Sequence, residues 1–450
     1  MVIGLLGTVA LTRLLGPAEY GRFAAAWALY GYAFSVAPLG VPAWLVRRRG
    51  ADAPDALATD PAAAAQARSL LLASSAFVGG LLIALLPLLD AWMRVPGTRP
   101  LVLTFAAGLP LQLLTLVPLA ALERGLQYRV VARAELEGLT LYFVAAVALA
   151  ALGWGAAGIV AGWWVQIVWV ALRVHRAAAL PLRFAWPNRG ARDALRFGLP
   201  YASSIWTYQL RDLVNPLFVG RWAGAEGVAV VALTVRVVDA AAFVKGAAWR
   251  LALPALSRLQ GDAVRMAIAV RDGMRLQVLL VGAAMLALAA VGVPIAVRVF
   301  GAQWASMAQV LALVAAATLC NSAFNLHSAA LYALGRTGAV WAFHLLHVAL
   351  FIVAATLLVP RHGVLGYGVA ELIAFPAYVL VWRAFRHALP GAGQGIELWL
   401  AGTLVLATAL AWVTPFAVGI ALLPAAHPRV RALVRETVGT LRTAFEASAR

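Results

Sequence analysis

The chain has 450 residues, of which 63% are hydrophobic and 12% are charged, and its formal net charge is +18 at pH 7. The mean hydropathy of +0.87 lies far above that of water-soluble domains. This composition excludes a soluble domain and predicts an all-α polytopic membrane protein. The single cysteine, Cys320, lies in an apolar segment and excludes an internal disulfide framework.

Apolar segments long enough for a helix to cross about 30 Å of hydrocarbon recur along the chain. The first, residues 1–15, is short for a span and lacks a basic n-region, so we expect the sequence to begin inside a spanning helix and not with a signal peptide. In total the pattern predicts 12–14 transmembrane helices. The other segments lie at about 23–46, 69–89, 100–122, 138–153, 156–174, 198–222, 227–249, 276–299, 303–333, 339–359, 364–382 and 396–424.

Arginines are concentrated in alternate loops, and this sets the predicted orientation. Loops predicted to lie on one side contain 21 arginines, whereas the loops on the other side contain 7. Because cytoplasmic loops carry the excess of Lys and Arg, we expect the arginine-rich loops and the N-terminus to be cytoplasmic. Topology then accounts for the basic charge, and no nucleic-acid partner is predicted.

The C-terminal tail carries five arginines beside apolar residues at helical spacing. This pattern favours a helix that lies on the membrane surface. A tail on the cytoplasmic side would need two crossings within 396–424, and those 29 residues are too few for two full spans. The sequence leaves open whether one or two further spans are present.

Two consecutive predicted spans carry charges that are costly in hydrocarbon. Segment 198–222 holds Arg211 and Asp212 near mid-depth, and segment 227–249 holds Arg236 and Asp239. An ionised side chain at the centre of a spanning helix costs about 2.5–3.5 kcal/mol, so such residues normally face a water-filled cavity or a partner. We therefore predict that this cluster lines a polar site. The alternative left open is two neutralising structural pairs.

The chain also contains an internal repeat at its beginning and its middle. A glycine followed by an acidic residue and a second glycine marks a tight hairpin between two spanning helices, since Gly16 suits a helix C-terminus and Pro17 a first helical position. The motif consists of Arg13, Gly16, Glu19 and Gly21 in the first copy, and of Arg221, Gly224, Glu226 and Gly227 in the second. Six predicted helices separate the copies, so both hairpins face the same side.

This repeat predicts two six-helix lobes related by a pseudo-two-fold axis along the membrane normal. The N-terminal lobe covers 1–174, a cytoplasmic inter-lobe loop 175–197, and the C-terminal lobe 198–382. Residues 383–450 supply the extra apolar helix or helices and the amphipathic basic tail. Transporters with such repeats place their site at the repeat interface near mid-depth, where we expect the charged cluster.

These motifs resemble a known family. The run from Arg13 to Phe23 is similar to the opening signature of bacterial polysaccharide-biosynthesis membrane proteins, the O-antigen-flippase-like lipid-linked oligosaccharide flippases of the multidrug/oligosaccharidyl-lipid/polysaccharide exporter superfamily. The resemblance covers about residues 1–390, and the short first helix and the chain end depart from it. Supporting matches are Phe197–Pro200, Asp212, Gly220–Arg221, Arg236, Pro254–Arg258 and Gly335–Arg336.

The resemblance implies a flippase that moves undecaprenyl-diphosphate-linked oligosaccharide across the bacterial inner membrane for polysaccharide biosynthesis and export. Its partners would be this polyprenyl-diphosphate-linked glycan and membrane lipid. Arginine binds phosphate bidentately, which makes the mid-depth arginines candidates for the diphosphate. The implied substrate-binding residues are Arg211, Asn215, Arg236 and Lys245, and the carboxylates with a coupling or structural role are Asp212, Asp239 and Glu371.

Two other functions compete with this interpretation. A cation-coupled multidrug exporter of the same superfamily would be favoured by a carboxylate deep in the N-terminal lobe, and segments 23–46, 69–89 and 100–122 contain none. A membrane glycosyltransferase or polymerase needs catalytic groups on sizeable outer loops, and the predicted outer loops are short. We therefore predict a transporter, with no catalytic residue.

No metal site and no organic cofactor are predicted, and a coupling Na⁺ or proton is the one ion left open. His327, His344 and His347 lie on neighbouring segments without a Cys or carboxylate in a ligand pattern. Gly158 and Gly162 have a spacing typical of closely packed membrane helices.

Overall fold

A computed structural model of the chain describes residues 2–47, 61–185, 189–389, 393–432, 434–437 and 439. These residues form helices and turns, with no strand among them. The helices are α1 Val2–Val36, α2 Val41–Arg47, α3 Pro61–Met93, α4 Thr98–Arg124, α5 Tyr128–Ala151, α6 Ala156–Ala178, α7 Arg189–Gln209, α8 Gly220–Ala241, α9 Phe243–Ser257, α10 Ala263–Phe300, α11 Leu311–Ala333, α12 Thr337–Ile373, α13 Tyr378–Ala388 and α14 Gly395–Leu410.

Among the described residues, six helices are long and apolar enough to cross a membrane, and nine are if each of three sharply bent pairs counts as one span. The protein is therefore an all-α, multi-pass membrane protein, as its composition predicts. Some predicted pairs of spans run as one helix that changes direction inside. In α12, for example, Gly363 breaks the helix between the predicted segments 339–359 and 364–382. The predicted number of 12–14 spans stays a prediction.

The described chain folds as two compact units, Met1–Ala229 and Val230–Arg450. In the first unit, α5 packs along α6, and α4 packs against α1, α3 and α6. In the second unit, α11 is the central helix, with α9, α10, α12, α13 and α14 packed around it. Eighteen of the residues of α11 are buried, which agrees with an element that is apolar on all sides.

Both copies of the hairpin motif have the same backbone conformation. Gly16 breaks α1 with φ 71° and ψ 176°, and Gly224 breaks α8 with φ 65° and ψ −166°. This region of backbone space is open essentially to glycine alone. Each glycine therefore ends one helix and starts the next without a longer loop.

Glycines also bring the repeated segments into backbone contact within the first unit. A Cβ atom on Gly21 would lie 1.8 Å from the carbonyl oxygen of Ala225, and a Cβ atom on Gly198 would lie 2.1 Å from that of Leu39. No other residue fits at either point without a shift of the backbone. The start of the second half of α1 thus touches α8, and the turn after α1 touches α7.

The small residues of α6 pack as predicted. A Cβ atom on Gly162 would lie 2.7 Å from the carbonyl oxygen of Tyr142, and one on Gly158 would lie 3.1 Å from the backbone nitrogen of Ala150. The predicted close approach of helices is confirmed, and it joins α5 to α6 inside one unit.

Residues 393–432, the longest described part of the chain end, do not contain two full α-helical spans. Helix α14 has 16 residues, a length of about 24 Å at 1.5 Å per residue. A 3-10 segment, Pro415–Ala426, follows it, and the chain bends by 92° before the helical residues Pro428–Thr437. Most of the predicted amphipathic tail lies outside the described residues.

We predict that Gly224→Ala destabilises the protein by about 1–3 kcal/mol, because alanine is strained at this φ and ψ. A Cβ atom there would meet no described atom within 4 Å, so the effect isolates backbone strain. Thermal unfolding in detergent measures it. The control is Gly246→Ala in α9, where a Cβ atom is equally unobstructed and φ is not positive. There we expect no loss of stability, and equal effects of the two variants would contradict the prediction.

Candidate functional site

The charged residues of segment 198–222 lie where the helix stops being an α-helix. Helix α7 ends at Gln209, a 3-10 turn covers Leu210–Leu213, and a π-helical turn covers Asn215–Val219 before α8 begins. The predicted span 198–222 is thus helical throughout, but its middle departs from regular α-geometry. We call residues 210–219 the irregular stretch. Such local departures from α-geometry are frequent at functional sites.

Pro216 explains the irregular stretch. A proline inside a helix has no N–H to donate, and its ring clashes with the carbonyl group four residues earlier, which here belongs to Asp212. The chain avoids this clash by adopting a 3-10 turn at Leu210–Leu213 and the wider π-helical turn at Asn215–Val219. Pro216 could have predicted this irregularity from the sequence, because it lies four residues after Asp212. Hydropathy alone did not indicate it, because the segment as a whole is apolar.

Two side-chain hydrogen bonds connect the irregular stretch to neighbouring helices. The indole Nε1 of Trp92, on α3, donates to the carbonyl oxygen of Leu217 at 2.9 Å. The amide Nδ2 of Asn215 donates to the carbonyl oxygen of Val228 at 3.1 Å. Asn215 is buried, and its Oδ1 has no hydrogen-bond partner. This residue, predicted to bind substrate, thus ties the irregular stretch to α8 and keeps one acceptor unused.

Arg211 and Asp212 sit on the 3-10 turn of the irregular stretch. Arg211 is half-buried and Asp212 is exposed. The guanidinium Nη1 of Arg211 donates to the hydroxyl of Tyr208 at 3.1 Å, and its carbon lies 5.4 Å from the centre of the Tyr208 ring. Tyr208 therefore holds the cation by a hydrogen bond and by the negative face of its ring.

The other predicted residues belong to the second unit. Arg236 and Asp239 are exposed on the last turns of α8, just before a bend of 63° at Ala242. Lys245 is half-buried at the start of α9, and its carbonyl oxygen accepts from Nδ2 of Asn325 at 3.4 Å. Both halves of the predicted charged cluster thus lie next to an interruption of a helix.

Glu371 is a buried carboxylate near the end of α12. Its side chain is 3% exposed, and its carboxylate accepts a hydrogen bond from the hydroxyl of Tyr367 at 3.4 Å. This environment is compatible with either of the two predicted roles, structural or coupling.

The hairpin residues make contacts that fix helix ends. Glu19 accepts a hydrogen bond from the backbone nitrogen of Ala156 at 2.9 Å and pairs with Arg22. Its negative charge thus lies at the N-terminus of α6, where the helix dipole favours it. In the second copy, Arg221 lies over the ring of Trp92 at 4.9 Å and donates to the Trp92 carbonyl oxygen at 3.3 Å.

A cavity of about 260 Å³ inside the first unit was missed by the sequence analysis. It is lined by aromatic rings, carboxamides, one hydroxyl, one carboxylate and aliphatic side chains from α1, α4, α5 and α6. We call it the N-terminal pocket. Its lining residues are Trp27, Phe34, Gln112, Thr115, Leu116, Leu119, Glu135, Trp163, Gln166, Ile167 and Val170.

Packing behind the N-terminal pocket fixes its aromatic rings. Trp163 lies 4.9 Å from Phe105 and 5.1 Å from Tyr30, measured between ring centres. It can approach α4 because position 108 is glycine: a Cβ atom there would lie 2.4 Å from the indole ring. The hydroxyl of Tyr30 in turn donates to Oε1 of Gln112.

Glu135 corrects one step of the sequence analysis. The fifth span was predicted to begin near residue 138, but α5 begins at Tyr128, and Glu135 lines the N-terminal pocket. The first unit therefore does place a carboxylate in a cavity. Acidic residues were sought only in segments 23–46, 69–89 and 100–122, and Glu135 lies outside all three.

A second cavity of the first unit, about 280 Å³ in volume, has the opposite charge. It lies between α5 and α6 and is lined by Arg133, Arg173, Arg176 and three apolar residues. Arg173 also forms a two-point ion pair with Glu137, with nitrogen–oxygen distances of 2.9 and 3.1 Å. All these arginines come from loops predicted to be cytoplasmic.

Comparison with known proteins identifies the family. A family model described as polysaccharide biosynthesis protein matches residues 10–309. The chain belongs to the polysaccharide biosynthesis protein family. This match includes both hairpin motifs, the irregular stretch and the N-terminal pocket. A search of curated proteins finds no significant match.

Solved structures share the fold at low sequence identity. A multidrug resistance MATE family transporter of the MOP superfamily, in an inward-facing conformation, has a TM-score of 0.65 and 16% identity, over 87% of this chain and 94% of its own. The lipid II flippase MurJ, in an inward closed conformation, has a TM-score of 0.64 and 12% identity, over 96% and 97%. A MOP superfamily transporter from Pyrococcus furiosus has a TM-score of 0.57 and 16% identity, over 87% and 93%. This family member therefore has the fold of MOP-superfamily transporters.

We predict that Pro216→Ala lowers transport without lowering stability. Alanine restores the missing backbone donor and removes the clash, which straightens the irregular stretch and moves Arg211 and Asp212. Because proline costs up to about 3 kcal/mol in a helix interior, the free energy of unfolding should stay equal or rise. Thermal unfolding and a transport assay on the same preparation measure the two effects. Transport at the wild-type rate would contradict a functional role for the break.

Proposed function

We propose that the protein is a flippase that translocates undecaprenyl-diphosphate-linked oligosaccharide from the cytoplasmic to the outer leaflet of the bacterial inner membrane, with its N-terminus in the cytoplasm. Its membership of a polysaccharide biosynthesis family supports a glycan substrate. The observation that carries the proposal is Arg211, a half-buried cation beside a proline break inside an apolar helix. Such a cation is costly in hydrocarbon and is kept where an anion must be bound.

The chemistry of a diphosphate matches this arrangement. Arginine presents several N–H donors in a fixed plane that fits phosphate oxygens, and it stays charged at every physiological pH. We propose that Arg211 binds the diphosphate, and Arg236 is our second candidate for this role. Asp212 lies next to Arg211 in the chain and would lower the cost of the cation when no substrate is bound.

Entry and coupling complete the proposal. Lys245, near the bend at Ala242, is our candidate for the first contact with the substrate. Asn215 is our candidate to accept a hydrogen bond from a substrate hydroxyl through its Oδ1. Asp212, Asp239 and Glu371 are the candidates for a coupling Na⁺ or proton. The arginine-lined cavity between α5 and α6 would raise the local concentration of anionic substrate near the cytoplasmic leaflet.

One observation favours a second candidate function. Glu135 is an exposed carboxylate that lines a cavity of the first unit, and it is the nearest match to the deep carboxylate expected of a cation-coupled multidrug exporter. The arginines of the irregular stretch and of α8 oppose this, because a cationic drug would be repelled by them. We therefore rank the exporter second and distinguish it by experiment.

We predict that Arg211→Ala and Arg236→Ala each slow glycan translocation by about 10- to 100-fold, the loss expected for a charge-assisted hydrogen bond of about 1.5–3 kcal/mol. Purified protein would be reconstituted in vesicles with a fluorescent undecaprenyl-diphosphate oligosaccharide. A membrane-impermeant quencher then reports which leaflet holds it. Arg265→Ala is the matched control, since the Arg265 side chain is 78% exposed.

Three outcomes decide between the candidates. Protein-dependent crossing that is lost in both arginine variants and kept in Arg265→Ala supports the flippase. Wild-type crossing in either variant removes that residue from the site. No crossing at all, together with accumulation of a cationic dye under a Na⁺ or proton gradient, would support the exporter.

A further inference from the structure

The N-terminal pocket has a chemistry that differs from that of the diphosphate site. Its lining combines aromatic rings with carboxamides and one hydroxyl, and none of its described lining residues is basic. One carboxylate, Glu135, would repel a phosphate group. The pocket is therefore unsuited to the diphosphate, and its ligand must be found among uncharged or weakly cationic groups.

Trp27 offers a ring face in a fixed orientation. Its side chain is 42% exposed, although it lies on a helix in the interior of the unit. The ring is stacked on Phe23 at 6.1 Å and meets Phe105 edge-on at 5.5 Å, measured between ring centres. These contacts hold the ring in place before any ligand arrives, so ordering it costs no free energy on binding.

An aromatic face suits a sugar ring for an electrostatic reason. The face of an indole carries partial negative charge, and the axial C–H groups on one side of a pyranose carry partial positive charge. The hydroxyls of the sugar point outward from this stack and need donors and acceptors in the plane around it. Carboxamides supply both from one planar group.

The polar residues of the pocket are placed to meet such hydroxyls. Gln112 accepts from the Tyr30 hydroxyl through Oε1, which orients the carboxamide and leaves its two N–H donors outside that contact. Two further polar residues line the pocket, Gln166 from α6 and Glu135 from α5. A few placed polar groups in an otherwise apolar pocket fix the orientation of a ligand and determine specificity.

We infer that the N-terminal pocket binds one pyranose ring of the glycan, stacked on Trp27 and hydrogen-bonded by Gln112 and Gln166. This inference rests on the proposed function and assigns the recognition of sugar and of diphosphate to different residues. We expect the site to select a pyranose that has hydroxyls opposite the two half-buried carboxamides, because an analogue without these hydroxyls would lose both hydrogen bonds.

Equilibrium binding to the purified full-length protein in detergent tests the inference. Two probes are used: the lipid-free oligosaccharide released from the lipid of the vesicle assay, and undecaprenyl diphosphate without sugar. We expect Trp27→Ala to weaken oligosaccharide binding by at least about tenfold and to leave undecaprenyl diphosphate binding unchanged. Arg211→Ala should have the reverse effect. The control is Trp341→Ala, because Trp341 is also 42% exposed but lies in the second unit.

Gln166→Leu keeps the test decisive if Trp27→Ala fails to fold, since it changes a half-buried carboxamide to an apolar group of similar size. Its loss of oligosaccharide binding supports the inference. Undiminished oligosaccharide binding in Gln166→Leu and in any folded Trp27→Ala, or no oligosaccharide binding by the wild type, overturns it. Tight binding of a cationic dye that Glu135→Gln abolishes would also overturn it. The flippase proposal fails separately, if undecaprenyl diphosphate neither binds nor crosses.

Discussion

The fold depends on the need to satisfy every backbone N–H and C=O group inside a membrane without water. An unbroken α-helix meets this need by itself, and most of the described chain is helical. At some of the points where regular helix is interrupted, a side chain forms a hydrogen bond with a backbone N–H or C=O group. Trp92 donates to Leu217, and Glu19 accepts from Ala156.

The same constraint explains where the candidate site lies. Pro216 prevents regular α-helical geometry next to Arg211 and Asp212, so a cation and an anion lie on a 3-10 turn inside an apolar segment. A site built on an interrupted helix is positioned by the two regular helices that flank it. These helices hold the charged residues rigidly within an apolar segment. The proline lowers stability at the place where we propose that an anionic lipid binds.

Two cavities in the first unit differ in the chemistry of their linings. One is lined by arginines and suits phosphate, and the other is lined by aromatic rings and carboxamides and suits a sugar. Gly108 helps to shape the N-terminal pocket, because the absence of a side chain there lets Trp163 lie against α4. Both cavities share α5 and α6, whereas α1 and α4 contribute only to the N-terminal pocket.

Sequence alone determined the class of the protein, the approximate spans, the basic loops and the two glycine hairpins. These properties are set by hydropathy, charge and turn chemistry over short stretches, where each residue acts on its neighbours. Tertiary structure decided the rest. The N-terminal pocket joins residues between Trp27 and Val170, and Glu19 meets Ala156 across 137 positions. Such meetings depend on how each helix is rotated about its axis and where it crosses its neighbours, and no short stretch of sequence contains that information.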